Sequence, residues 1–277
     1  MTARAAIRKE TERLRHFSDE ADAEVRILFE YITGLDCVLA MINDAEVTDE
    51  QSERLASAVD RLIKGEPIQY VMGEWSFMGN DFEVCESVLI PRSDTEILCE
   101  QAAAYINGRD AQTDVLDICS GSGCIGISLA KLCVNSIVDC SDISAAAIDV
   151  INRNIDKNGV RGRVRAFCSD MFEKCGMYDV IVSNPPYIPS EDIDGLDAKV
   201  SLHEPRKALD GGVDGLDFYR IIAQEARLHL KDGGKLFLEI GYDQRSDVTD
   251  ILKTNNYTGI TCVKDYSGND RVISCGV

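Results

Sequence analysis

The sequence predicts an α/β fold preceded by a small helical domain, and three observations carry that prediction. From Thr113 onward short apolar runs alternate with helical stretches, the rhythm of βαβ units. A glycine-rich turn follows the first of these runs and opens a helix. Before about residue 73, apolar residues recur instead at helical spacing.

Taken in order, Val25, Leu28, Phe29 and Ile32 form one helical stripe, and Leu55, Val59, Leu62 and Ile63 form another. Both are packing faces of a small bundle. Thr48-Asp49-Glu50-Gln51 has the form of a capping box ahead of the second stripe. Gly65-Glu66-Pro67 ends the helical pattern. Between Trp75 and Val84 aromatic and polar residues alternate around Gly79-Asn80, which predicts a hairpin. The expected organisation is a helical domain over 1–73, a hairpin linker over 74–90 and an α/β domain over 91–277. Strands are expected at Val115–Ile118, Ser136–Cys140, Val164–Cys168, Asp179–Ser183, Lys235–Ile240, Gly259–Val263 and Arg271–Cys275. Helices between the early strands imply right-handed crossovers and a parallel sheet covered on both faces. The last two strands have no helix between them and should pair antiparallel at one edge.

The chain has 277 residues, 29 Lys and Arg against 48 Asp and Glu, and a net charge of −19. With 45% hydrophobic and 28% charged residues, disorder is excluded as the main state. No apolar run approaches the roughly 20 residues that cross a bilayer. The first residues lack an apolar signal core, and Glu10 and Glu12 argue against a transit peptide, so a cytoplasmic protein without membrane contact is expected. The acidic balance argues against tight, sequence-indifferent binding of nucleic acid. Eleven cysteines without a C-x-x-C pair or zinc-ligand spacing predict reduced, buried thiols and no metal. His16, His203 and His229 are expected in surface or packing roles.

Asp117-Ile-Cys-Ser-Gly121-Ser-Gly123-Cys-Ile-Gly126 points to a nucleoside-type ligand. Asp142 lies 21 residues after Gly121, at the end of the second strand, where a carboxylate accepts from ribose hydroxyls. NAD and S-adenosylmethionine both fit this pattern. Ser169-Asp170-Met171 follows the third strand, where an adenine ring would reach. Asp170 would accept from the adenine amino group, and Met171 would supply a backbone amide and apolar contact.

Ser183-Asn184-Pro185-Pro186-Tyr187 stands at the end of the fourth strand. Its chemistry suits methyl transfer to a planar nitrogen, whose delocalised lone pair makes it a poor nucleophile. The Asn184 side-chain oxygen and the Pro185 carbonyl can accept the two N–H bonds, and Tyr187 can cover the flat face. Catalysis is then mainly positioning, without a strong base.

Asn-Pro-Pro-Tyr below such a glycine turn resembles the S-adenosylmethionine-dependent amino-methyltransferases, a motif shared with adenine N6-methyltransferases. Further segments narrow the resemblance. Gly65-Glu-Pro-Ile-Gln-Tyr70, Gly73-Glu-Trp-Ser-Phe77, Leu89-Ile-Pro-Arg-Ser-Asp-Thr-Glu96, Glu204-Pro-Arg-Lys-Ala-Leu-Asp-Gly-Gly-Val-Asp-Gly-Leu216 and Asp265-Tyr-Ser-Gly-Asn-Asp-Arg-Val272 resemble the peptide chain release factor glutamine N5-methyltransferases, the PrmC/HemK family. The resemblance spans essentially the whole chain. It implies a Rossmann-like class I S-adenosylmethionine methyltransferase domain, with a seven-stranded, mostly parallel sheet whose last strand is antiparallel. It also implies methylation of the glutamine in the Gly-Gly-Gln motif of release factors, leaving S-adenosylhomocysteine. Carried onto this chain, Cys119, Ser120, Gly121, Ser122, Gly123, Asp142, Asp170, Met171 and Asn184 would hold the cofactor. Asn184, Pro185, Pro186 and Tyr187 would hold the glutamine, with Asn184, Pro185 and Tyr187 acting in catalysis. The helical domain would grip the release factor, and Ile90–Glu96 would border the pocket. Arg92 would either line it or make a surface ion pair.

One position departs from the family's D-x-G-x-G-x-G form: Cys119 replaces the first glycine. The expectation is that this position requires only a small side chain. The competing readings are a nucleic-acid amino-methyltransferase, which would want a basic face, and an NAD-dependent oxidoreductase, which leaves Asn184–Tyr187 without a task. The charge of −19 favours a protein substrate with no direct nucleic acid contact, and an acidic face suits a basic release factor; a monomer is the default for a two-domain chain of this size.

Overall fold

The computed structural model describes all 277 residues, Met1–Val277. Two compact units divide the chain: Met1–Glu74 with Asp197–His203, and Trp75–Leu196 with Glu204–Val277.

The first unit contains α1 (Ala3–Leu14), α2 (Ala21–Thr33), α3 (Cys37–Ile42), α4 (Asp49–Ile63) and α5 (Ile68–Met72). Val25, Leu28, Phe29, Leu55, Val59 and Leu62 share one core, while Ile32 and Ile63 pack at its margin. The capping box forms: Gln51 N–H donates to Thr48 Oγ1 at 3.1 Å, and Thr48 N–H donates to Gln51 Oε1 at 3.0 Å. Pro67 does more than end a pattern. Its φ of −58° sets up the short helix α5. Arg61 pairs with Glu66 and donates to the Tyr70 and Val71 carbonyls, both at 3.0 Å, so it satisfies carbonyls that α5 cannot. The segment 197–203 is anchored here by Lys199, whose Nζ lies 2.7 Å from Glu24 Oε1.

The second unit opens on a hairpin of β1 (Glu74–Phe77) and β2 (Asn80–Glu83). Met78 and Gly79 turn through positive φ, 49° and 69°, the twist that two-residue hairpins favour. Then come α6 (Glu96–Asn107), β3 (Thr113–Ile118), α7 (Cys124–Leu132), β4 (Ser136–Asp142), α8 (Ala145–Lys157), β5 (Val164–Cys168) and β6 (Tyr178–Ser183). After the short α9 (Ala198–Ser201) follow α10 (Asp217–His229), β7 (Leu230–Glu239), α11 (Arg245–Thr254), β8 (Thr258–Lys264) and β9 (Asp270–Gly276).

The seven strands order as β5-β4-β3-β6-β7-β9-β8, and β9 alone runs against its neighbours. Every expected strand is present, most of them longer by a residue or two at an end. The early start of β7 is the largest difference: α10 passes directly into it at Leu230. Strand residues alternate between two cores. Val115, Val138 and Val180 pack with α6, α7 and α8, whereas Leu116, Ile118 and Ile181 pack with α10 and α11. No helix is long and apolar enough to cross a membrane.

Asn154 on α8 ties this unit together at full burial. Its Oδ1 accepts from Glu83 N–H at 2.6 Å, and its Nδ2 donates to the Glu83 and Ser122 carbonyls at 3.0 and 2.9 Å. Asn154→Leu should therefore lower stability by about 3 kcal/mol, because buried backbone groups lose their partners. Urea denaturation followed by circular dichroism checks this; a change within experimental error would mean that water replaces the amide.

Candidate active site

Sheet register assembles the site. Ile118 is paired with Ser141 on β4 and with Ser183 on β6, and Asp142 is paired with Cys168 on β5. Four parallel strands thus end level with one another. The segments that leave them, at Cys119, Asp142, Ser169 and Asn184, emerge in a row. Between β3 and β6 the chain order reverses, which is where open α/β sheets form their crevice.

The first of these segments is the glycine turn. Gly121 and Gly123 take φ of 56° and 78°, and Gly123 starts α7. A Cβ on Gly126 would stand 2.5 Å from Cys140 Sγ, so only glycine lets α7 lie this close to β4. Cys119 overturns the expectation made for it. Its φ is 60°, in the left-handed region, which costs an L-residue about 1–2 kcal/mol. Hydrogen bonds on either side enforce the turn: Ser120 N–H donates to the Ser141 carbonyl at 3.0 Å, and Ser120 Oγ donates to the Asp117 carbonyl at 2.7 Å. Burial pushes the Cys119 thiol up and the Cys124 thiol up to about 12, so both stay protonated and serve packing. All eleven cysteines are free, and Cys168 alone is exposed rather than buried or partly so.

Asp142 faces this turn. It accepts from Gly121 N–H and Ser144 N–H, both at 2.9 Å. A carboxylate offers about four acceptor positions, so two remain for a ligand. Beyond it, Asp170 is exposed, and Met171 is half-buried with φ of 40°, held by Ser169 Oγ donating to its carbonyl at 3.1 Å.

Asn184 and Tyr187 are half-buried at the end of β6, and the two prolines between them are buried. Ser183 Oγ donates to the Ile118 carbonyl at 2.7 Å, which ties the start of the tetrapeptide to the strand that carries the glycine turn. Asn184 Nδ2 donates to Thr95 Oγ1 at 3.2 Å. Gln244 Nε2 donates to the Tyr187 carbonyl at 2.9 Å. Gly211 presses against the tetrapeptide so closely that a Cβ would stand 2.7 Å from Tyr187 Cα. Its N–H donates to the Ile188 carbonyl at 2.8 Å, and a Cβ on Gly215 would stand 2.4 Å from the Tyr187 carbonyl oxygen, so close approach to the tetrapeptide explains both glycines.

The Ile90–Glu96 segment is a latch along this row. Ile90 N–H and Arg92 both meet the buried Glu204, so Arg92 is an ion-pair partner. Asp94 lies 3.4 Å from Arg271, and Glu96 accepts from Met78 N–H at 2.7 Å. Arg271 in turn reaches Asp265 at 3.1 Å and donates to the Ile240 carbonyl at 3.1 Å.

Two buried carboxyls escaped the sequence reading of the site. Asp117 is fully buried; its Oδ2 accepts from Gly126 N–H at 2.9 Å and its Oδ1 has no partner. Glu239, the last residue of β7, is 2% exposed and its Oε2 has no partner. Desolvation pushes each up to about 7. A charged residue closing the apolar run Leu236-Phe-Leu-Glu239 was the available signal for the second. Tyr187, beside Glu239, is pushed up to about 12 by burial and that carboxyl, so its phenol keeps its proton. A separate cavity of about 440 Å³ lies at the other end of the strands. Of the arginines lining it, Arg165 and Arg161 already pair with Asp139 and Asp156, and it shares no residue with the row.

Residues 94–212 match the "Methyltransferase small domain", and residues 5–73 match the "PrmC N-terminal domain". The release factor glutamine methyltransferase of Geobacter sulfurreducens is 40% identical over 92% of this chain and 89% of the relative. That of Moorella thermoacetica is 38% identical over 98% and 97%. The chain belongs to the release factor glutamine methyltransferase family. Among solved structures, a methyltransferase from Pyrococcus furiosus shares the fold, with a TM-score of 0.54 at 18% identity over 83% of this chain and 98% of that one.

The Asp117 carboxyl has a consequence for pH. Its folded value, about 7, lies above the ordinary 3.9, so its contribution to stability is complete below about pH 4 and is lost as pH rises to 7. Asp117→Asn keeps an acceptor for Gly126 and removes the titration. Between pH 5 and pH 8 the native protein should lose roughly 2–3 kcal/mol more than this variant, measured by urea denaturation. Equal losses would mean that Asp117 is ionised in the folded state.

Proposed function

We propose that the chain transfers a methyl group from S-adenosylmethionine to the side-chain N5 of the glutamine in the Gly-Gly-Gln motif of peptide chain release factors. The observation that carries this is the placement of Asn184–Tyr187 beside the glycine turn, one strand apart and level with it. Relatives named for this activity match the chain across both units, which favours a glutamine over a nucleic-acid substrate.

In this reading Cys119–Gly123 cradle the cofactor, and the two free acceptor positions of Asp142 take the ribose hydroxyls. Met171 and Asp170 border the adenine. Bound S-adenosylmethionine supplies an electrophilic sulfonium methyl. The chain's own residues then orient the acceptor nitrogen: Asn184 Oδ1 and the Pro185 carbonyl accept its two N–H bonds, Pro186 stiffens the loop, and Tyr187 covers the planar amide and excludes water. Held this way, the nitrogen meets the methyl in line. Its proton becomes acidic only as the new bond forms, so no strong base acts first. Residues 1–73 serve recognition of the release factor, 74–90 connect, and 91–277 carry the chemistry. The protein works in the cytoplasm as a monomer, without direct contact to nucleic acid.

Incubation of a purified release factor with the protein and S-adenosylmethionine, followed by peptide mass spectrometry, should show methylation of the Gly-Gly-Gln glutamine. Asn184→Ala should lower the rate at least about 100-fold with a smaller change in cofactor affinity. Asp142→Ala should weaken S-adenosylmethionine binding roughly 10–100-fold by calorimetry, because hydrogen bonds to a charged acceptor are lost. An unmodified glutamine, with adenine-containing oligonucleotides methylated instead, overturns the proposal.

A further inference from the structure

Asn184 serves the role proposed above only one way round. Its amide carries an acceptor at one end and two donors at the other, and a substrate N–H needs the acceptor. Something must therefore hold the Nδ2 end away from the substrate. Thr95 is the residue in contact with it: Thr95 is 2% exposed, lies in the turn before α6, and its Oγ1 is 3.2 Å from Asn184 Nδ2. A hydroxyl can meet either end of an amide, so Thr95 alone does not select one. A carboxylate behind it does. When the Thr95 proton is donated to a carboxylate, its oxygen can only accept, and the Nδ2 end of Asn184 is selected.

Glu239 is in that place. It is buried at the end of β7, one residue past Leu238, which is paired with Ser183 on β6, so it stands level with Asn184 on the neighbouring strand; Thr95 and Tyr187 are the nearby hydroxyls that favour its charged form. Its Oε2 has no partner, so the carboxyl is not committed to a structural ion pair through that atom. We propose that Thr95 and Glu239 are positioning residues that set the orientation of the Asn184 amide, so that Oδ1 faces the methyl-accepting nitrogen. This rests on the reading of Asn184 as the holder of the substrate amide.

The relay also makes the rate sensitive to pH. A protonated Glu239 donates to Thr95, which frees the Thr95 proton for Asn184 Oδ1 and stabilises the wrong orientation. The titratable and charged groups that face Glu239 are Asp94 before α6, Arg271 on β9, Tyr187 after β6, Tyr219 on α10, Cys99 on α6 and Cys124 on α7. With Glu239 held near 7 by burial, kcat should rise through neutral pH and level off above it.

The test uses the full-length protein with a purified release factor as substrate. Thr95→Val, which keeps the shape and removes the hydroxyl, should lower kcat on the order of 10–100-fold. KM for the release factor, cofactor affinity and the melting temperature should move little. Thr95→Ser should recover most of the lost kcat, and Thr95→Val should add nothing in an Asn184→Ala background. Glu239→Gln should abolish the rise of kcat around pH 7. A Thr95→Val enzyme with native kcat, or an additive double variant, overturns the relay while leaving Asn184 in its role. Native kcat in Asn184→Ala overturns the underlying reading itself. If Thr95→Val does not fold, an unchanged pH profile in Glu239→Gln overturns the relay alone.

Discussion

The register of four parallel strands is the constraint on which the rest of the molecule depends. Ile118 is paired with Ser141 on one side and Ser183 on the other, so the glycine turn, Asp142 and Asn184 leave the sheet at the same height. A slip of one residue in β6 would exchange the faces of Val180 and Ile181, which belong to different cores. The apolar packing that stabilises the sheet is therefore also what places the site. Hydrogen bonds then refine positions that the register has already brought within reach.

Those hydrogen bonds have a common form, and it bears on the acidic composition. Acidic side chains repeatedly accept from backbone N–H groups of the loops and of the first turn of α7: Asp142 from Gly121 and Ser144, Asp117 from Gly126, Glu96 from Met78, and Asp265 from Ser267 and Asn269. Loops with little secondary structure have unpaired donors, and a short acidic side chain satisfies two at once. Part of the net charge of −19 is thus internal architecture. The same arrangement leaves Asp117 and Glu239 in surroundings dry enough to raise them toward neutrality.

Much of this was legible in the sequence, for identifiable reasons. The capping box at Thr48, the seven strands and the antiparallel last strand follow from local pattern, because period and caps are properties of neighbouring residues. Family resemblance pointed to Ile90–Glu96 and Glu204–Leu216 as segments of interest without saying what they do. Their purpose emerges only when Glu204 meets Ile90 and Arg92, 114 and 112 positions away. Cys119 shows the limit in the other direction. The type of residue suggested a position that tolerates any small side chain, whereas hydrogen bonds from Ser120 to Ser141 and Asp117 hold it at positive φ.

The α/β class, the helical N-terminal unit, the glycine turn and the Asn184–Tyr187 tetrapeptide are each legible in contiguous residues. Tertiary packing alone brings Thr95 to Asn184, sets Glu239 level with Asn184 on the next strand, and groups Asp197–His203 with the helical unit. Contacts across 89 residues, as between Thr95 and Asn184, leave no periodic trace in a chain. They arise because packing two apolar faces of one sheet brings distant strand ends to a single edge, where polar side chains must find partners or bear the cost of burial alone.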